Sequence, residues 1–561
     1  MSEGAFTTAE LLTRHADNGP KITVGYGNKA CDPPNPREER VDGMRILRDV
    51  SVPMRDGVKL YADVYLPADA ADDAELGVIV CWAAFGKHAT NSKLPEAMNV
   101  APGLISDHTG WEAPDPAYWT QHGYAVIYPD PRGTWNNEGI YYNFGDVERS
   151  DMYDLCEWAG VQSWSNGKVG YIGVSYPGVV CWQIAGLQPP HLAAIIPWEA
   201  WSDGYREFAY HGGMRETGHT ALIDQVMRWP NKTAEDMNAN FDAHPFDDGF
   251  WKFKNPDIKS VQVPALVGAS WSDQGLHTKG TINAWRNIAS KDKWLRVHGR
   301  KKWEQYYAPE NVELQRAFFD RFLLGREDRF TDQPLITIEV RESAYVGETR
   351  EEREWPLART AWTPMYLDTA ARTLVGEKPA TAGDARYAAD GDTPLTFDHK
   401  FAQDTEVTGP MKLKLWVEAD GSDDMDLFVA VQKLDKAGDP VGFPFFATHV
   451  DGPVALGWLR ASHRELDPER STEAEPFHRH QSEQRLVPGE IVPVEIGVWP
   501  SSTLFRAGET LRVVIKGKDI YRYLDDPASN SHLKTRNAGT HIVHSGGEYD
   551  SHILLPIIPK A

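Results

Sequence analysis

Cysteine is scarce: the 561 residues hold four, Cys31, Cys81, Cys156 and Cys181, and no two form a C-x-x-C pair. That spacing argues against a zinc or dithiol redox site, and no disulfide framework is suggested. Cys81 and Cys181 lie within apolar segments and read as small buried hydrophobes. Basic charge is also in deficit. Lys and Arg number 58 against 81 Asp and Glu, a net charge of −23. Phosphate backbones and anionic membranes are held by basic clusters, so neither a nucleic acid nor a membrane is expected as partner. The short basic run Arg300-Lys301-Lys302 reads as a solvated loop. No stretch approaches the ~18 apolar residues of a membrane helix. The start Met1-Ser2-Glu3-Gly4-Ala5-Phe6 lacks the basic region and apolar core of a signal peptide. The expectation is a soluble, cytoplasmic protein without internal repeats. Its oligomeric state is left open, a homo-oligomer included.

What the chain has in quantity is apolar and aromatic mass, at 41% and 11% with twenty tryptophans. Its length exceeds one hydrophobic core, so two or three domains are expected. Residues 1–45 are polar and Pro-rich and read as an arm, with a short helix over Thr8 to His15. Val50–Met54 and Lys59–Leu66 alternate with period two around Asp56-Gly57, the pattern of a hairpin. Apolar runs then recur at Gly77–Trp82, Tyr124–Tyr128, Val169–Val174, Ala193–Pro197, Ala265–Ala269 and Lys293–Val297, several separated by helical segments such as Val147–Ala159. Such alternation indicates a parallel sheet covered on both faces. It is interrupted over 198–259 by helical, aromatic-rich segments, Thr220–Arg228 and Thr233–Phe241 among them, which read as a cap. Val312 to Leu324 closes the unit as a helix with Leu314, Phe318, Phe319 and Phe322 on its buried face. From 331 to 561 short alternating segments follow one another with Gly, Pro and Asp between them, as in a jelly-roll β-sandwich.

The stretch with most chemical content is Gly170-Tyr171-Ile172-Gly173-Val174-Ser175-Tyr176-Pro177-Gly178. An apolar strand runs into Ser175 and a helix starts behind it, the setting of a nucleophile elbow. The usual G-x-S-x-G is displaced here, with Pro177 in the fifth position and glycine one later. An acyl-transfer serine needs a base, an acid to orient it and an oxyanion hole. In an α/β-hydrolase sheet the acid and then the histidine follow the serine in the chain. Asp273 lies just beyond the strand Ala265–Ala269, and His298 ends the strand after it. His277 is only four residues beyond Asp273 and reads as too near to be its partner. The expected triad is Ser175, Asp273 and His298. Asp130 and Arg132, on a loop after a strand, read as structural ion-pair residues.

These residues resemble the cocaine-esterase-like serine hydrolases, related to α-amino-acid ester hydrolases, glutaryl acylases and X-prolyl dipeptidyl aminopeptidases. The resemblance is carried by Arg55-Asp56-Gly57-Val58-Lys59-Leu60, Asp130-Pro131-Arg132-Gly133, Gln162–Gly170 and Gly173–Gly178. In the β-rich part Asp404–Pro410 and Gly457–Ser462 carry it further. It implies an α/β-hydrolase domain (46–197 and 260–330), a helical cap (198–259) and a C-terminal jelly roll (331–561), without a cofactor or metal. It also implies ester or amide hydrolysis through a Ser-His-Asp triad, with the Tyr176 backbone N–H in the oxyanion hole. The family usually supplies a tyrosine hydroxyl as second oxyanion donor from a P-Y-x-K segment. The corresponding segment here is Ala83-Ala84-Phe85-Gly86-Lys87-His88, and Phe85 has no hydroxyl. The family's G-P-W-x-H type histidine loop is likewise replaced by Val297-His298-Gly299-Arg300-Lys301-Lys302-Trp303.

The expected substrate is a small ester with aromatic or amphiphilic groups, in a pocket drawn from Trp82, Phe85, His88, Trp198, Trp201 and Trp271. Two alternatives remain. One is an amidase or peptidase, with Glu199, Asp203 or Glu207 receiving a substrate ammonium. The other is a non-catalytic relative whose oxyanion hole is impaired at Phe85.

Overall fold

The computed structural model describes residues 6–16, 33–87, 96–227, 229, 232–526, 529 and 531–560. A central sheet organises the first part of the chain. Its strands are β1 (Arg37–Val41), β2 (Met44–Pro53), β3 (Lys59–Pro67), β4 (Leu76–Val80), β5 (Tyr124–Pro129) and β6 (Ser165–Val174). They continue with β7 (Leu192–Trp198), β8 (Ala265–Ser270), β9 (Lys293–His298), β10 (Ile336–Ser343) and β11 (Val346–Glu352). Their spatial order is 1-2-3-5-4-6-7-8-9-10-11. From β5 to β10 all neighbours are parallel, and the edges are antiparallel hairpins. The parallel strands are apolar along their length because both faces are covered.

Adjacent residues on β6 show how the two faces are covered. A Cβ on Gly170 would stand 2.8 Å from Phe319 Cε1, so the helix Pro309–Phe322 lies directly against the sheet there. Tyr171 points to the opposite face, as successive strand residues must. Its hydroxyl donates to Met152 O, at 3.1 Å, on the helix Asp146–Gly160.

Three local expectations differ from the structure. Thr8–His15 is a short 3₁₀ turn, Thr8–Glu10, followed by a strand, Thr13–Ala16. That strand pairs antiparallel with Lys232–Glu235, so the segment expected as a helix from Thr233 begins as a strand and becomes helical only at Met237. Pairing between segments far apart in the chain overrides local propensity here. The third difference is the domain boundary. The sequence pattern sets the start of the β-rich part at 331, yet β10 pairs in parallel with β9 and β11 pairs with β10, so 336–352 extend the hydrolase sheet.

The β-sandwich proper starts at Ala361–Asp368. One layer joins Ala361–Asp368, His552–Ile558, Thr405–Asp420 and Val492–Phe505, and the other joins Leu395–Lys400, Thr510–Lys516, Asp426–Leu434 and Ala455–Arg460. Leu413, Leu415, Val429, Val431, Ile496, Val513 and Ile553 form its core between the layers. The sandwich is seated on both cap and site. Arg460 N donates to Gly212 O at 2.8 Å in the cap, where a Cβ on Gly212 would stand 2.2 Å from Trp458 O. Phe446 N donates to Ser272 O at 3.1 Å, and Gln274 Nε2 to Pro500 O at 3.0 Å, which ties the sandwich to the loop behind β8.

Candidate active site

The elbow forms where β6 ends. Ser175 has φ 59° and ψ −116°, a conformation that a side-chain-bearing residue adopts only when its surroundings enforce it. The enforcement is visible: Ser175 N donates to Trp198 O at 2.9 Å and to Glu199 O at 3.1 Å. The helix Tyr176–Leu187 starts at once. Pro177 lies in its first turn, where an N–H has no helical partner in any case. The displaced glycine has a steric reason. A Cβ on Gly178 would stand 2.9 Å from Trp198 O, and one on Gly173 would stand 2.3 Å from Pro177 Cβ.

The histidine facing Ser175 is His277. Ser175 Oγ and His277 Nε2 are 3.5 Å apart, and His277 Nδ1 is hydrogen-bonded to Asp273 Oδ2. Both side chains are buried, at 2% exposure each. The four-residue spacing works because the chain folds back there in a tight turn through Gly275, whose φ is 90°. Asp273 O accepts from Leu276 N, His277 N and Thr278 N, and the helix Thr278–Asn287 continues from it. The turn brings the two side chains together. Nδ1–H donating to Asp273 leaves the Nε2 lone pair toward the serine.

A third group enters from the loop after β9. Lys302 Nζ is 2.8 Å from Asp273 Oδ2 and 3.1 Å from His277 Nδ1. The expectation of a solvated loop is therefore overturned: Lys301 and Lys302 are both 5% exposed. Burial works against the charge on Lys302, but Asp273, Glu199 and Glu112 raise its pKa. Burial likewise opposes the Asp273 charge, yet Lys302 and His277 hold its carboxyl well below the usual range. His277 is pushed down to about 4, first by burial and then by Lys302, with Asp273 opposing. At neutral pH the ring is thus an uncharged acceptor.

His298 does not reach the serine, and its expected place as the base is corrected. It is the last residue of β9, paired in register with Ser270 of β8. Its ring stacks on Trp198 with centroids 6.0 Å apart, and Nε2 lies 3.2 Å from Glu199 Oε1. The position after β9 thus delivers an ammonium to Asp273, where the chain order expected an imidazole.

An open cavity of about 1220 Å³ borders Ser175 and His277. Phe85 and Trp201 line it. Trp82, Trp198 and Trp271 do not. Trp82 Nε1 donates to Glu148 Oε1 at 2.9 Å, Trp198 packs under His298, and Trp271 Nε1 donates to Glu339 O at 2.8 Å. All three are core residues with satisfied or stacked rings rather than pocket walls. His88 lies outside the described residues. Walls that the sequence reading missed include Trp111, Phe144, Phe208, Trp303 and Phe446. Phe446 comes from the sandwich, far along the chain, and nothing in its neighbourhood marks it. Asp130 and Arg132 are structural. Arg132 bridges Asp151 and Asp56 at 2.6 and 2.7 Å, and Asp130 accepts from Lys87 N at 2.9 Å.

The acids offered for a substrate ammonium are engaged elsewhere. Asp203 pairs with Arg206 at 2.9 Å, Glu207 accepts from Ser202 N and Asp203 N at 2.8 Å each, and Glu199 accepts from Ser270 Oγ at 2.7 Å.

Among solved structures, a CocE/NonD family hydrolase from Staphylococcus aureus matches with a TM-score of 0.89 and 40% identity, covering 96% of this chain and 99% of that one. The chain belongs to the CocE/NonD family of hydrolases. Residues 56–237 match the model of X-Pro dipeptidyl-peptidase (S15 family), and 328–554 that of the X-Pro dipeptidyl-peptidase C-terminal non-catalytic domain. Cocaine esterase from Rhodococcus sp. is 26% identical, over 93% of this chain and 100% of that protein. An α-amino acid ester hydrolase shares the fold, with a TM-score of 0.67 and 18% identity over 96% of this chain and 98% of its own. As a CocE/NonD member the protein is a serine hydrolase, built as an α/β-hydrolase unit followed by a β-rich domain.

Proposed function

We propose that this CocE/NonD hydrolase cleaves small, uncharged carboxylic esters with aromatic or extended apolar acyl groups. Ser175 is the nucleophile, His277 the base and Asp273 the orienting acid. The observation that supports this reading is the apolar cavity at Ser175. Its walls are Phe85, Trp201, Phe208, Leu276 and Phe446. Such walls reward apolar acyl groups. Ser175 Oγ attacks the acyl carbonyl while His277 Nε2 takes its proton. His277 then protonates the leaving alkoxide, and water releases the acyl group by the same route.

The test compares p-nitrophenyl esters with anilides of the same acyl groups. Esters are expected to turn over faster, and each methylene added to a short acyl chain is expected to raise kcat/KM by about 10-fold or more until the cavity fills. Faster cleavage of anilides with a free N-terminal amine would replace this reading by a peptidase. A fluorophosphonate probe is expected to label the wild type and not Ser175→Ala; an unlabelled wild type would support the non-catalytic alternative.

A further inference from the structure

The resemblance sets Phe85 where related hydrolases usually carry a tyrosine hydroxyl, and a different side chain stands at the Ser175 cavity. Glu112 lines the cavity together with Ser175, Tyr176 and His277. Its backbone is held against the elbow strand, with Glu112 O accepting from Val174 N at 3.1 Å. Its φ of 60° is left-handed, a strained value for a residue with a side chain. The side chain is 4% exposed, and its Oε2 is buried with no hydrogen-bond partner. The Tyr176 backbone N–H, the first oxyanion donor, acts on this same carboxyl.

We infer that Glu112 is a further catalytic residue: as a neutral carboxylic acid, it donates its O–H to the substrate oxyanion alongside the Tyr176 N–H. The inference rests on Ser175 being the nucleophile. A carboxylate in this position would repel the developing negative charge, so the protonation state decides its role. Burial raises the Glu112 pKa to about 8; Lys302 opposes this, Asp273 and Glu199 add to it, and the Tyr176 N–H opposes it. His277, His219 and Asp526 also line the cavity. The acid is thus kept neutral at pH 7 in the way a desolvated carboxyl can be, and becomes a donor for that reason.

The step balances without a change at Glu112. The Ser175 Oγ–H proton goes to His277 Nε2, and the Oγ–C bond forms. The carbonyl π pair moves onto oxygen, which accepts from Glu112 O–H and Tyr176 N–H. When that pair returns, the bond to the leaving oxygen breaks and His277 supplies its proton. Glu112 keeps its own proton throughout.

The experiment is the pH dependence of kcat for a neutral p-nitrophenyl ester in wild type, Glu112→Gln and Glu112→Ala, with fluorophosphonate labelling and thermal melting as controls. Wild-type kcat is expected to fall as pH rises through about 8, where Glu112 loses the proton it donates. Glu112→Gln keeps an N–H donor, so it is expected to retain most of the activity and lose the alkaline fall. Glu112→Ala is expected to lose about 10²–10³ in kcat with little change in KM, the effect of removing one oxyanion donor. The wild-type profile needs no variant and stands even if a substitution unfolds the protein. An alkaline fall that persists in Glu112→Gln would overturn the inference, as would a wild type flat to pH 10. The latter is what a non-titrating donor such as the buried Trp303 indole would give. A loss in Glu112→Gln confined to substrates with a free amine would also overturn it, by making Glu112 an ammonium anchor. If the wild type is not labelled, the nucleophile reading fails; if it is labelled and the profiles coincide, only the Glu112 inference fails.

Discussion

Replacing His277 with alanine is expected to lower kcat by about 10⁴–10⁶, while His298→Gln stays within about 10-fold of wild type. The contrast separates two histidines that both lie at strand or loop ends near the site. His277 Nε2 faces Ser175 Oγ at 3.5 Å and is oriented by Asp273. No hydroxyl attacks efficiently without a base in that position. His298 touches Trp198 and Glu199 and contacts no reacting atom. A double variant, Ser175→Ala with His277→Ala, is expected to be scarcely worse than either single one, because the groups act as a unit. Steady-state turnover of one activated ester measures the wild type and all four variants. Equal losses for His277→Ala and His298→Gln would refute the assignment.

The second large effect is expected from Lys302→Met, which removes a buried ammonium but roughly keeps its volume. Asp273 then loses the partner at 2.8 Å and keeps only His277. Breaking a buried ion pair from one side costs about 3–5 kcal/mol, read as a lower denaturation midpoint. The kinetic effect has a definite sign. Catalysis needs neutral His277, so kcat/KM falls as pH drops through the His277 pKa, about 4 in the wild type. Burial and Lys302 depress that value and Asp273 raises it. Without Lys302 the carboxylate acts on the ring with less opposition, and the acid limb is expected to move up by about 1–3 units, the range for one nearby charge. A variant whose acid limb stays in place would show that Lys302 does not govern the histidine. Wild type is thus expected to be active between a limb at about 4, set by His277, and one at about 8, set by Glu112.

The placement of Lys302 also shows why part of the site escaped the sequence reading. The order serine, acid, histidine along the strands is a rule about topology, and it led to His298 because that residue ends β9. The side chain that reaches Asp273 from that region lies four residues further on and is a lysine. Meanwhile the imidazole is provided within the Asp273 loop itself, where a tight turn through Gly275 brings positions 273 and 277 together. Whether a four-residue spacing is a turn or an extended segment is a backbone property, and Gln274-Gly275-Leu276 does not announce it.

The pocket aromatics follow the same division. Tryptophan is equally suited to a core and to a cavity wall, so composition could not sort Trp82 from Trp201. The sorting depends on which partner waits for the indole N–H, and Glu148 waits for Trp82.

By itself the sequence determined the architecture: alternating apolar strands and helices, a cap where the alternation stops, and a run of short strands after it. These features are legible because burial on both faces of a parallel sheet demands continuous apolar runs, and that demand is local in the chain. It also showed the strand-to-helix turn at Ser175, since a strand and a helix must meet there, and the family resemblance set Phe85 where related hydrolases usually carry a tyrosine. The tertiary structure alone decided which histidine faces the serine, that Lys302 is buried against Asp273, and that Glu112 stands at the Tyr176 N–H. Each of these is a juxtaposition of side chains from different loops at one end of the sheet. Their distances, and the desolvation that sets their charges, exist only once the chain has folded.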